Sequence, residues 1–155
     1  MKGQYRTTLL IYIALLLGQI TFCLFTVFLI TQPDRPLQAE SVYPYGGALA
    51  VFLSAGAAWF LNQLRIKSVA DLEANFRGKL LHYQTTVIFR AAMIQVGNLF
   101  CLFLAILENS LSPLIYFCLG LLVYLYFKPN SNELANVYQL TPTEKRDVEK
   151  QAGKV

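Results

Sequence analysis

Charge is scarce in this chain. Only 14% of its 155 residues are Asp, Glu, Lys or Arg, against roughly 25% in an ordinary soluble domain. Hydrophobic residues make up 55%, and the mean hydropathy is +0.45. A soluble domain of this size leaves much of its surface in water and cannot hide that many apolar side chains. The same composition excludes disorder. Cysteine is scarce too. Cys23, Cys101 and Cys118 stand apart with no C-x-x-C pair, which argues against a disulfide scaffold and against a thiol–disulfide oxidoreductase. His82 is the single histidine, so haem and zinc sites lack ligands. Its spacing from Arg77 fits a loose R-x4-H ribonuclease pattern that is common by chance, and an interfacial role is expected instead. No Walker, G-x-S-x-G, H-E-x-x-H or Rossmann motif is present. The sequence therefore nominates no catalytic residue, metal ligand or cofactor.

What the chain has is apolar length. Residues 9–30, 45–64, 86–107 and 111–127 form four runs, uncharged except for Arg90 in the third. About 20 such residues cross the hydrocarbon core of a bilayer. Each run must be helical, because lipid leaves an open backbone unsatisfied. The runs are continuous rather than alternating, which excludes a barrel. The first run exceeds a signal-peptide core and no A-x-A-like site follows it, so a retained span is expected. The expected fold is an all-α membrane protein, with four transmembrane helices in an antiparallel bundle and short amphipathic cytoplasmic helices. Residues 1–129 would form the transmembrane domain and 130–155 a polar cytoplasmic tail.

The basic residues predict the orientation. Of 13 Lys and Arg, 11 lie at the N-terminus, between the second and third runs, or after the fourth, and Arg90 stands just beyond the second-to-third segment, while Arg35 alone lies in the first-to-second loop, a split of 12 to 1. Cytoplasmic loops carry such an excess. Both termini are therefore expected in the cytoplasm of a bacterial-type inner membrane. The pI of about 9.0 follows from this asymmetry and from attraction to anionic lipid headgroups, so nucleic acid is not an expected partner. Tyr43, Tyr45, Trp59, Tyr83, Tyr124 and Tyr126 are expected as interfacial anchors, since they lie mostly near run ends.

The connections carry local signals. Three prolines mark residues 31–44 as a non-helical outer loop. Asn109 and Ser110 predict a tight turn. Ser68 to Asp71 resembles a helix start, followed by Val69, Leu72, Phe76 and Leu80 at helical spacing. An amphipathic helix over 68–82 is expected, either on the membrane surface or as an extension of span three. Residues 130–133 favour a short helix with Leu134, Val137 and Tyr138 on one side. Thr141, Pro142 and Glu144 form a second start signal, with the polar run 144–150 expected to be solvated.

Two intramembrane patterns are candidate sites. Gly46, Ala50, Ser54 and Ala58 recur at four-residue steps in span two. Such a ridge lets helices approach closely. It serves either oligomerisation or, as the favoured reading, packing against spans one and three. Arg90, Gln95 and Asn98 give span three a polar face, with Gln19 and Ser54 as possible partners. Polar groups in a span should point into the bundle. They line a pocket or path or, as favoured, hydrogen-bond between helices; Arg90 can also snorkel to headgroups. No carboxylate lies inside a run, which weighs against a small proton-coupled multidrug exporter.

The layout resembles that of the small accessory subunit I of bacterial ATP synthase operons. That family places an acid and a lysine at the start of span three, where this chain has Phe89-Arg90-Ala91-Ala92-Met93-Ile94-Gln95. The resemblance covers layout alone. The function expected is a non-enzymatic accessory, assembly or scaffold subunit of a membrane complex. Its partners would be membrane lipids and a larger complex or homo-oligomer. The alternative is a small oligomeric transporter or channel using the polar face of span three.

Overall fold

A computed structural model describes residues 4–32, 43, 45–69 and 75–151. These residues form an all-helical protein: α1 (Gln4–Ile30), α2 (Gly46–Lys67), α3 (Phe76–Glu108), α4 (Ser112–Tyr126), α5 (Ser131–Val137) and α6 (Pro142–Gln151). α1, α2 and α3 are long and apolar enough to cross a membrane. α4 has 15 residues, about 22 Å at 1.5 Å per residue, which is short of a hydrocarbon core of roughly 30 Å. The count rises to four when α4 and α5, bent by 56° at the break between them, are taken as one span.

α3 organises the fold and packs against α1, α2 and α4. Its inner stripe, including Val87, Ala91, Ile94, Cys101 and Leu102, is buried. Small residues permit the closest approaches. A Cβ placed on Gly97 would overlap Ser54 and crowd the Ala50 carbonyl, and one on Gly120 would overlap Asn98 Oδ1. α2 and α4 thus meet α3 where one partner has no side chain. The large apolar residues left exposed, such as Leu10, Leu17, Leu24 and Phe28 on α1, Phe52 on α2 and Ile115 on α4, face outward as a lipid solvent requires.

Local chemistry sets the helix ends, and one expected start is corrected. Ser68 does not open a helix. α2 continues one turn further than expected and Ser68 caps its C-terminus, its N–H bonded to Leu64 O and Ile66 O and its Oγ donating to Arg65 O at 2.8 Å. The start of α3 is capped by Asn75, whose Oδ1 accepts from Gly78 N at 3.0 Å. Asp71, Leu72 and Glu73 lie outside the described residues. The stretch 76–82 of the expected amphipathic helix is the beginning of α3 and is continuous with it.

At the other end Asn109 adopts φ 47°, a left-handed cap that Asn tolerates. Ser110 N bonds back to Ala105 O at 3.2 Å, giving the tight turn that was expected. The Thr141–Glu144 box forms as expected, with Thr141 N donating to Glu144 Oε2 at 2.8 Å. The polar α6 keeps one buried contact, Val148, and Gln151 Oε1 accepts from Tyr5 N at 3.2 Å, linking α6 to the start of α1.

Candidate functional site

The expected polar face of span three resolves into two layers. The first surrounds Arg90. Its side chain is 4% exposed and pairs with Glu133 of α5, Nη1 to Oε1 at 2.8 Å and Nη2 to Oε2 at 3.4 Å. Nη1 also donates to Asn62 Oδ1 at 3.1 Å, and Nη2 to Phe127 O at 3.0 Å. That carbonyl belongs to the C-cap of α4, where the helix leaves acceptors unsatisfied and the dipole favours a cation. The Phe127 ring centroid lies 5.1 Å from the guanidinium carbon. Arg90 therefore does not snorkel. One side chain holds α2, the end of α4 and the start of α5 together.

The second layer lies deeper along the helix. Asn98 Nδ2 donates to Gln19 Oε1 at 2.8 Å, joining α3 to α1. Both residues are fully buried. Gln19 Nε2 and Asn98 Oδ1 have no hydrogen-bond partner among the described residues. Gln95 is only partly buried and does not share the Gln19–Asn98 bond. Ser54 is buried beside Gly97 and bonds within its own helix to Val51 O at 3.0 Å. Of the four expected polar-face residues, the fold brings Gln19 and Asn98 together, sets Arg90 apart and leaves Gln95 at the margin.

Of the span-two ridge, Ser54 and Ala58 are buried inside the chain, while Gly46 and Ala50 are partly buried. A Cβ on Gly46 would meet Leu104 of α3 at 3.2 Å. This ridge packs against α3, and Gly46, Ala50 and Ser54 also line an open groove beside it.

Two expected anchors are corrected. Tyr124 is fully buried and Tyr83 nearly so. Tyr12 and Tyr124 stack with centroids 4.5 Å apart. Each hydroxyl donates to the other's backbone carbonyl, that of Tyr124 at 3.0 Å. Tyr83 OH accepts from Asn130 N at 2.9 Å and donates to Asn130 O at 3.2 Å, holding the start of α5. Tyr43, Tyr45, Trp59 and Tyr126 are exposed, as anchors should be.

His82 is not a bare interfacial residue: Nδ1 lies 2.6 Å from Tyr138 OH and Nε2 lies 3.3 Å from Ser68 Oγ. Burial pushes the Tyr138 hydroxyl above its ordinary pKa, so it stays protonated near neutral pH and can donate to His82.

Sequence reasoning missed Glu133, Asn62 and Tyr12. A signal for Glu133 did exist, because an arginine within a span needs a counter-charge. Comparison with known proteins adds no family: no family model matches the chain, and no curated protein or solved structure matches it.

Proposed function

We propose that this is a small integral membrane protein of four antiparallel spans. Both termini would lie in the cytoplasm of a bacterial-type inner membrane, and the protein would serve as a non-enzymatic accessory, assembly or scaffold subunit of a membrane complex. The observation that carries this reading is the use of the intramembrane polar groups. Arg90 is bound by Glu133, Asn62 and Phe127 O, and Asn98 by Gln19. Side chains that would line a path are spent holding α1, α2, α4 and α5 to α3.

The test is purification in mild detergent with mass analysis of what travels with the protein. A stable heteromeric partner supports the reading. A pure homo-oligomer that moves solute across liposomes replaces it with the transporter reading, which the unpartnered Gln19 Nε2 and Asn98 Oδ1 favour. The orientation is tested by labelling cysteines placed near Lys2, Ala39 and Lys154 in a background without native cysteine. External labelling should occur only at residue 39; labelling at either terminus overturns the topology.

A further inference from the structure

The face between α2 and α3 holds two neighbouring cavities. The first is about 220 Å³ and is lined by Leu61, Asn62, Arg65, Thr86, Phe89 and Arg90. The second is an almost wholly apolar groove of about 520 Å³, lined by Leu53, Ala57, Met93, Val96 and Phe100 among others, with Gly97 also in its wall. Ala57 and Leu61 are four residues apart on α2, and Phe89 and Met93 four apart on α3. Residues at that spacing are neighbours on one helix face, so the groove and the smaller cavity lie next to one another along the α2–α3 seam. Leu53, Val96 and Phe100 are exposed at its rim, which opens the groove sideways to the bilayer.

The charge in the smaller cavity is unbalanced. Glu133 answers Arg90. Arg65 has no carboxylate within ion-pair distance among the described residues. Its Nε donates to Thr86 Oγ1 at 3.2 Å, and its guanidinium lies over the Phe89 ring, 5.6 Å from the centroid. Those contacts hold the fork in place, and among the described residues its two Nη groups meet no acid. Asn62 gives its Oδ1 to Arg90, which leaves its amide NH₂ as a further donor beside the cavity. Arg65 stands in the last turn of α2, where the apolar stretch of that helix gives way to the membrane interface.

We propose that the α2–α3 seam binds one anionic phospholipid, its phosphate taken by Arg65 and an acyl chain laid in the apolar groove. A guanidinium presents paired donors that match phosphate oxygens. An apolar helix in the same groove would bring no anion to Arg65, whereas a phospholipid carries the anion and the chain in one molecule. This inference does not depend on the scaffold reading; which leaflet supplies the lipid follows from the orientation.

The test uses the full chain, delipidated by detergent exchange and titrated separately with phosphatidylglycerol and phosphatidylcholine. Bound lipid is counted by native mass spectrometry. Phosphatidylglycerol should be retained about fivefold more tightly, the worth of one basic residue facing an anionic headgroup. Arg65→Gln should abolish that preference and Arg65→Lys should keep part of it. Lys67→Gln, two residues away and exposed, should leave it intact. Ala57→Phe, which fills the groove, should weaken retention of both lipids while circular dichroism stays unchanged.

Equal retention of the two lipids overturns the proposal, as does equal loss in Lys67→Gln and Arg65→Gln, which would mean diffuse surface charge. Thermal stabilisation by inorganic phosphate alone, matching that by phosphatidylglycerol, would make the site one for a free anion. A cross-link from a cysteine at position 57 to a second copy would give the groove to a helix.

Discussion

The Arg90 and Asn98 layers sit eight residues apart on the same helix, about 12 Å at 1.5 Å per residue, and are satisfied in opposite ways. The Asn98 layer is neutral and incomplete: one bond joins two amides, and two polar atoms are left over. The Arg90 layer is charged and crowded, with acceptors from α2, α5 and the end of α4 on both Nη groups, and only the guanidinium Nε lacks a partner among the described residues. Even lenient scales put a charge at the centre of a membrane helix at about 2.5–3.5 kcal/mol. An amide pair is the lighter burden at depth. A guanidinium is tolerated where a segment beyond the apolar run can fold back to meet it, and Glu133, itself partly exposed, does so. Depth thus sorts the chemistry: the deep layer sets helix register weakly, and the shallow layer fastens α5 to the bundle.

The largest expected effect breaks the shallow layer. Glu133→Ala leaves Arg90 buried without its counter-charge and should destabilise the protein by about 3–5 kcal/mol. Thermal unfolding in detergent, with protease release of the segment after residue 130, measures it. The pair Arg90→Met with Glu133→Leu should recover most of the loss, since an apolar pair of similar volume restores packing without a charge. A harmless Glu133→Ala would mean that Arg90 finds headgroups instead, and the contrast between the layers would vanish.

These layers also mark where the sequence was legible. The apolar runs located α1, α2 and α3, because about 20 uncharged residues admit little else in lipid. Asn109 and the Thr141–Glu144 box were readable because their chemistry acts within a few residues. Ser68 was misread because its start signal competes with an α2 that simply continues. Tyr83 and Tyr124 were misplaced because position in a run gives depth, not direction. Arg90 and Glu133 lie 43 residues apart, and no local periodicity carries a pairing across that distance. Gln19 was named as a partner for span three on polarity alone, which worked because a buried amide in a bilayer has few alternatives.

The next effect strikes the deep layer through its packing. Gly120→Ala places a Cβ into Asn98 Oδ1. It should cost about 1–3 kcal/mol, the usual range for overpacking. Combined with Asn98→Ala, much of that loss should disappear, because the clashing amide is gone; strict additivity in this double-mutant cycle would place the clash elsewhere. Asn98→Ala alone should be milder, about 0.6 kcal/mol and no more than about 1.7, the average and the maximum for interhelical hydrogen bonds in membranes. A loss as large as that of Glu133→Ala would show that the neutral layer is worth as much as the charged one, and depth would not be the sorting variable.

The smallest expected effect concerns Gln95, one turn below Asn98 and part of neither layer's bonding. A partly buried side chain outside both networks adds little to stability, and surface-like substitutions stay within about 0.5 kcal/mol. Gln95→Ala should therefore leave the melting temperature nearly unchanged. That small number discriminates between the two functions. In a scaffold, Gln95→Ala should also leave partner co-purification intact. In a transporter, Gln95 is the amide still available to a passing solute between Asn98 and Arg90, and the same substitution should abolish liposome uptake while the fold survives. Arg90 and Asn98 cannot make this distinction, because replacing either removes a structural bond together with any path.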